Sequence, residues 1–531
     1  MSFLLRNISL QPGQNEKQLV SIAADIIGAT VDKLENFHIV RKAVDARKKP
    51  RVLLVYSVAF DVKDANLLQH LQNLNLPDLG FTEPEPANIT DCKATLNPKH
   101  KEQPIVIVGM GPAGLFCALR LVWHGLPATV LERGKPVAQR VKDVALFWQK
   151  GLLDEESNVQ FGEGGAGTFS DGKLTCRLRD PNSRWILEQL TRFGAPAEIC
   201  FQAKPHIGTD RLRKVVAQIT AFLQQKGCVL QYSTRCTGFG STKNRINVAY
   251  TANNEELPCR HLVLAIGHSA RDSYAMLASS KLIMEAKPFA IGLRVEHPQS
   301  LIDKIQYGKP HPALPRADYA LTFNNKNSGR SCYSFCMCPG GLVVASSSEA
   351  GMVVTNGMSN LGRNSDLANS ALVVNVRPED FGATDPLAGI RFQQHWERLA
   401  FAAGNSSYHA PASNLLAFLG SGSGNFCSSY RPAVVEADLS ALLPDYVTRT
   451  LQEGIIAFGK KMKGFVTAEA TLTGVETRTS APLRILRGKD CQALSIAGLY
   501  PAGEGAGYAG GIMSAALDGV RIADMIAAQI K

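Results

Sequence analysis

The 531-residue chain contains no apolar run approaching the roughly 18 residues that a bilayer-crossing helix takes. Arg51 to Val62 and Pro104 to Met110 have only the length of strands. The N-terminus, Met1-Ser-Phe-Leu-Leu-Arg-Asn-Ile, lacks the basic segment, apolar stretch and small-residue cleavage site of a secretory leader. Zinc-type spacings are missing, so no metal is expected, and nothing repeats at solenoid spacing. Charged residues are 19% against 45% hydrophobic, which excludes a disordered chain, a collagen-like rod and a coiled coil. These absences predict a cytoplasmic protein without membrane contact. Its 12 cysteines are expected as reduced thiols, because a chain this long buries a core without disulfide staples.

Acidic residues are the scarcer sign. Lys and Arg number 57 against 46 Asp and Glu, a net charge of +11, which favours dinucleotides, nucleic acid or acidic small molecules as partners. The densest basic clusters, Arg47-Lys48-Lys49-Pro50-Arg51 and Lys460-Lys461-Met462-Lys463, read as solvated turns.

At about 150 residues per domain, the length predicts three or four domains. Residues 1–76 read as a small α/β module. Leu19, Ile22, Ala23, Ile26 and Ile27 form one helical stripe. Val52, Leu54, Tyr56, Val58, Phe60 and Val62 alternate as a strand, entered through the turn at Pro50. Proline and charge mark a linker over 77–102. Three apolar runs, 105–108, 261–267 and 494–499, then predict strands buried on both faces. Helices are predicted from Leu212, Val215, Val216, Ile219, Phe222 and Leu223, and from Ile512, Ala515, Ala516, Gly519, Ile522, Ala523 and Ile526. Residues 288–482 change to short alternating strands with glycine turns. They read as a mainly antiparallel β domain inserted between 103–287 and 483–531.

Gly109-Met-Gly111-Pro112-Ala113-Gly114 lies between the 105–108 strand and the apolar helix Leu115 to Trp123. Two further G-x-G-x-x-G matches, at 162–167 and 505–510, have no such context. At 109–114 Gly109 permits the sharp turn, Gly111 lets backbone N–H groups approach a pyrophosphate, and Gly114 lets helix pack on strand. Glu132, 18 residues beyond Gly114, is placed to accept ribose hydroxyls.

Glu132-Arg133-Gly134 resembles the adenosine-binding end of two-dinucleotide-binding flavoproteins. Leu499 to Ala516, with Ala502-Gly503-Glu504 ahead of Gly510-Gly511-Ile512, resembles their ribityl-binding segment. A helix starting there directs its positive end at a reduced flavin. FAD is therefore the expected cofactor. The chain has no second strand–glycine–helix unit and no C-x4-C pair near its first glycine loop. NADH or NADPH is thus expected only as a transient reductant.

Gln160-Phe-Gly-Glu-Gly-Gly-Ala-Gly-Thr-Phe-Ser-Asp-Gly-Lys-Leu174 resembles the signature of bacterial FAD-dependent, NAD-utilising dehydrogenases. Blocks at 204–210, 288–298, 334–341 and 476–482 resemble others of that family. The resemblance implies a glutathione-reductase-type, Rossmann-like FAD-binding α/β domain with an inserted substrate domain. It names no substrate. Gly164, Gly165, Ala166, Gly167 and Thr168 are expected as a second nest of N–H groups, with Ser170, Asp171 and Lys173 reaching flavin or substrate. Arg133, Arg140, Ala265 and Gly267 complete the expected cofactor set.

Catalytic candidates are weaker. Lys173 is one, and Arg294 is another because its guanidinium suits an anionic substrate. Glu296 shares a strand face with it, and the spacing favours an Arg–Glu pair tying strands together over a clamp; Arg478 offers a similar clamp. Cys332, Cys336 and Cys338 would share one strand face, as buried small hydrophobes or with Cys338 as a redox-active thiol. The expected function is an FAD-dependent oxidoreductase passing hydride between flavin N5 and a small-molecule, anionic substrate. A flavoprotein that binds or modifies RNA is the alternative, motivated by charge and opposed by the lack of an RNA-binding motif. A protein partner of the N-terminal module is a third.

Overall fold

In the computed structural model, which describes residues 1–82, 96, 102–176, 180–382 and 384–530, the chain begins with a four-stranded antiparallel sheet. β1 (Ser2–Leu10), α1 (Gln18–Ile27), β2 (Glu35–Lys48), β3 (Arg51–Asp61), α2 (Ala65–Asn73) and β4 (Leu79–Thr82) follow in order. The sheet runs β2-β3-β1-β4. Alternation on β3 buries Val52, Leu54, Tyr56, Val58 and Phe60. The stripe on α1 is narrower than its spacing suggested: Leu19, Ala23, Ala24 and Ile27 are buried, whereas Ile26 is 43% exposed. β4 pairs with β1, and Phe81 meets the Phe3 ring at 5.2 Å, so the sheet passes the expected 76/77 boundary. Most of the expected linker, 83–95 and 97–101, lies outside the described residues. At the β2–β3 turn Lys49 donates to the Ile305 carbonyl at 2.7 Å, tying the turn to the inserted domain.

The next unit contains β5 (Ile105–Val108), α3 (Pro112–Trp123), β6 (Thr129–Leu131), α4 (Val137–Lys150), α5 (Asn182–Arg192), α6 (Thr209–Gln225) and β7 (Val229–Gln231). β8 (Cys236–Thr242), β9 (Arg245–Thr251) and β10 (Glu256–Pro258) form an antiparallel sheet, and β11 (His261–Leu264), α7 (Arg271–Ala278) and β12 (Met284–Ala286) complete the unit.

The inserted domain carries β13 (Phe289–Pro298), α8 (Gln299–Tyr307), β14 (Thr322–Asn325), β15 (Arg330–Cys338), β16 (Leu342–Ala345), β17 (Thr355–Met358) and β18 (Leu367–Val376). It continues through α9 (Ala388–Ala403), β19 (Ala410–Asn414), α10 (Leu415–Phe418), β20 (Val434–Glu436), α11 (Asp445–Lys461) and β21 (Thr471–Glu476). Its seven-stranded sheet runs β14-β15-β18-β13-β21-β19-β20, antiparallel except between β19 and β20. β12 then pairs with β22 (Leu483–Ile485) where the chain leaves this domain.

β23 (Leu499–Pro501) and α12 (Ile512–Ile530) return to the first unit and close a parallel sheet, β23-β11-β5-β6-β7. The run 494–499 is therefore mostly not strand. Gln492 accepts from the Gly498 N–H at 2.6 Å, shaping a turn that leaves Leu494 58% exposed. All four β5 residues are buried because α3 and α12 cover one face and the β8–β10 layer the other. Among the described residues no helix is long and apolar enough to cross a membrane, and no group of three or more His, Cys, Asp or Glu is arranged to hold a metal.

The α3–α12 contact is close. A Cβ at Gly519 would lie 2.1 Å from the Ala113 carbonyl oxygen, whereas one at Gly510 would meet nothing within 4 Å among the described residues. Gly519→Ala is expected to cost about 1–3 kcal/mol of unfolding free energy through overpacking. Gly510→Ala should stay within about 0.5 kcal/mol of the parent. Denaturant midpoints check this, and equal midpoints for the two variants would contradict the packing.

Candidate functional site

The carboxyl ends of β5, β6 and β11 open onto a cavity of about 440 Å³, whose opposite wall comes from the inserted domain. This is the crevice where open α/β sheets bind ligands. Gly109 makes the exit from β5 at φ +101, and a Cβ there would sit 2.3 Å from the Ala265 carbonyl oxygen. Pro112 occupies the first turn of α3, where its missing N–H costs nothing. Gly111, Pro112 and Ala113 line the cavity, and first-turn amides lack intrahelical acceptors. Gly114 does not reach the wall. Its place is a close approach, with a Cβ falling 2.0 Å from the Gly109 carbonyl oxygen.

Glu132 follows β6 and is buried. One carboxylate oxygen accepts from Met110 N–H at 2.8 Å; the other accepts from Gly134 and Gly162 N–H, each at 2.9 Å. The carboxylate binds three loops together while still forming part of the cavity lining. Arg133 lines it as well, held over the Phe161 ring at 4.1 Å and paired with Glu156 and Asp272.

Arg140 requires a correction. It is fully buried on α4 and does not line the cavity. Its guanidinium donates to the carbonyls of Asn158, Val159, Gly162, Glu163 and Gly165 at 2.7–3.2 Å. It therefore shapes the glycine loop from behind. Gly165, Ala166, Gly167, Ser170, Asp171 and Lys173 are the part of the loop that lines the cavity. Gly164 and Thr168 lie beneath: a Cβ at Gly164 would strike the Thr168 hydroxyl, which donates to the Glu163 carbonyl at 3.2 Å.

At the other end Ala265, Gly267, Glu504, Gly510, Gly511 and Ile512 reach the cavity. Gly503 does not; it packs against Ala113 and donates to Asp518 at 2.7 Å. Burial pushes the Glu504 carboxyl up to about 7, opposed by Lys287. His268 Nδ1 stands 3.8 Å away, and burial, with Arg478 and Arg271 beside it, pushes its pKa down to about 3, so the imidazole is neutral.

The catalytic candidates separate. Lys173 is on the wall, donates to the Met337 carbonyl and lies 3.6 Å from Asp171. Burial opposes ionisation of Asp171, yet Lys173 and Arg363 hold its carboxyl below the usual range. Arg294 and Glu296 are absent from the lining. Arg294 is spent on Glu476 at 2.8 and 2.9 Å and on Asn369 at 2.7 Å, while Glu296 accepts from the Ser428 and Ser429 hydroxyls. Cys338 is fully buried; Cys336 reaches the cavity instead. The three thiols do not share a face, because β15 slips register between Phe335 and Cys338, with Cys336 at φ +46. Cys332 lies where a Cβ on Gly454 of α11 would touch its sulfur.

Residues 288–479 match the family "FAD-dependent protein, C-terminal domain-like", and residues 4–61 match "Domain of unknown function (DUF8436)". An uncharacterized protein of Clostridium beijerinckii is 43% identical over 532 residues, covering 99% of this chain and 98% of that protein. The chain belongs to one family with that Clostridium beijerinckii protein, and its residues 288–479 belong to the FAD-dependent C-terminal-domain family. Solved structures similar to it include a triple mutant of the flavin-dependent brominase Bmp2, at 11% identity and TM-score 0.36, covering 80% of each chain. A geranylgeranyl bacteriochlorophyll reductase-like protein of Thermoplasma acidophilum is 11% identical at TM-score 0.34, covering 80% of this chain and 78% of that one. Likeness this distant carries no argument about the reaction.

The cavity itself fits FAD. The starts of α3 and α12 both border it, and helix N-termini favour an anionic diphosphate. Among the described residues, Cβ positions at Gly267, Gly510 and Gly511 meet no atom within 4 Å. The buried Ser269 hydroxyl, also on the wall, has no hydrogen-bond partner among the described residues. Cys336 reads from sequence only as one of three thiols on a shared strand face, and His268, Ser269, Lys287, Phe335 and Asn356 are not marked there as site residues. Only the Ala-Ile-Gly ending at Gly267 hinted at the first two, and nothing local marks the rest.

A side chain at Gly111 would enter the cradle without striking protein, its nearest atom being Gly165 Cα at 3.8 Å. Gly111→Leu is expected to keep the parent's unfolding midpoint in flavin-stripped protein and to bind FAD at least about tenfold more weakly, a loss of ~1.4 kcal/mol. Flavin titration checks this; undiminished affinity would contradict the cradle.

Proposed function

We propose that the chain is an FAD-dependent oxidoreductase acting on a small anionic substrate, with NADH or NADPH as a transient reductant. The observation that carries this reading is the convergence of two helix starts, Gly111–Ala113 and Gly510–Ile512, on a cavity that also exposes Lys173, Cys336 and Glu504. FAD supplies two-electron, hydride-level chemistry, and the protein supplies binding, orientation and electrostatics.

Each group has a task. The first turns of α3 and α12 bind the cofactor's anionic portions, and Glu132 keeps the adenosine end of the cradle closed. The Arg140-braced loop carries Ser170, Asp171 and Lys173 into contact with bound groups. Lys173 sits beside Asp171, so its ammonium offers a fixed positive charge to an anionic substrate. Glu504 is poised to hold or release a proton near neutral pH, and neutral His268 beside it leaves that proton exchange to the carboxyl.

Anaerobic mixing with NADH and with NADPH is expected to bleach the flavin with at least one of them. A flavin that neither reduces would contradict the reductant assignment. The pH dependence follows from Glu504. Below about pH 7 its carboxyl is protonated and neutral; above about pH 7 it adds a negative charge to the cavity. Affinity for an anionic reductant should therefore fall as pH rises through that value, and Glu504→Gln should flatten the profile. An unchanged profile in the variant would assign the titration to another group.

A further inference from the structure

We propose that Cys336 and Cys338 form a redox-active thiol pair on the cavity wall, with Cys336 attacking and Cys338 resolving, and that small disulfides are its substrates. The first support is backbone geometry. β15 pairs with β18 in register from Cys332–Val374 to Phe335–Ala371, then gains one residue before Cys338–Asn369. At that bulge Cys336, not a glycine, holds φ +46. A non-glycine residue held in the left-handed region is a strained position of a kind that concentrates at functional sites. The bulge turns Cys336 into the cavity while Cys338 stays fully buried behind it.

The two residues are also neighbours in space: the Cys338 thiol donates to the Cys336 carbonyl at 3.3 Å. The surrounding charge favours a thiolate at the front. Lys173 holds the intervening Met337 carbonyl, and Arg294 Nη1 lies 3.5 Å from the Cys336 carbonyl. Among the facing acids, Asp171 is engaged by Arg363 and Glu476 by Arg294. Glu504, the remaining acid, is the one whose carboxyl titrates only near 7. The neighbouring Cys338 side chain, then Lys173 and Arg294, hold the Cys336 thiol below its ordinary range against the opposing effect of burial, and the Cys338 thiol is raised. Cys332, on the α11 side, is excluded from this pair.

The chemistry balances without an outside oxidant. The Cys336 thiolate attacks one sulfur of the substrate disulfide, and the substrate S–S bond breaks to release one thiolate. Cys338 gives its proton to that departing thiolate and attacks the Cys336 sulfur, releasing the second substrate thiolate, which takes its proton from solvent. One substrate disulfide is reduced to two thiols as one Cys336–Cys338 bond forms, a transfer of two electrons. The inference rests on the flavoenzyme reading only for the two electrons that reset the pair.

Holoenzyme reduced with dithiothreitol, desalted and mixed with hydroxyethyl disulfide should give a Cys336–Cys338 crosslink by peptide mass spectrometry. Cys338→Ser should trap one mercaptoethanol on Cys336, and Cys336→Ser should trap none at this site. At pH 7, iodoacetamide should modify Cys336 about tenfold faster than exposed Cys427, and Lys173→Met should move the pH midpoint of that reaction upward. Absence of the crosslink from protein carrying full flavin would overturn the pair and leave the flavoenzyme reading standing. A crosslink in protein that binds no flavin would do the reverse. Equal behaviour of Cys338→Ser and the parent would remove Cys338 as the resolving thiol.

Discussion

Close backbone contact between α3 and α12 is the constraint on which the cavity depends. Gly519 lets α12 lie against the Ala113 carbonyl, Gly503 brings β23 beside Ala113, and Gly114 brings the start of α3 over Gly109. Any Cβ at these positions would overlap backbone or a packed side chain. The three glycines sit behind the ligand-facing wall, and their effect is to aim two helix starts, separated by about four hundred residues of sequence, at one cavity. The electrostatic consequence follows from geometry: partial positive charge from two helix ends is focused on one enclosed place.

A buried ionic cluster then seats the inserted domain over that place. Arg271 on α7 and Arg478 beyond β21 both bind Glu397 of α9, at 2.7–2.8 Å, and Thr477 adds a hydroxyl at 2.7 Å. Burial disfavours the Glu397 charge, but the two guanidinium groups hold its carboxyl far below the ordinary range. Such a cluster adds less stability than its contacts suggest, because desolvation offsets much of the attraction. Its geometry is specific, however, and Arg478 carries the linkage to the cavity wall. Acid weakens this seam: the depressed acid contributes stability above its unfolded value, lost as pH falls through the folded one.

Short-range rules made the Gly109–Gly114 turn, β5 and the closing helix α12 readable from sequence, since turn, strand and helix adjoin in the chain. Arg140 was misplaced because its five carbonyl partners come from a loop whose path no local pattern reveals. Arg294 and Glu296 carry suitable chemistry, yet strand pairing turns them to buried partners, Glu476 and the two serines. Cys336 was hidden by the alternation rule itself, because one extra residue in β15 resets which thiol faces the cavity. His268 and Lys287 acquire meaning only through Glu504, more than two hundred residues away.

The central claim is that paired helix starts recognise the diphosphate of FAD, and calorimetric titration of flavin-stripped protein with FAD and with riboflavin tests it directly. The account predicts at least about hundredfold tighter binding of FAD, ~2.7 kcal/mol or more. Equal affinities would show that the ring alone drives binding and would contradict it.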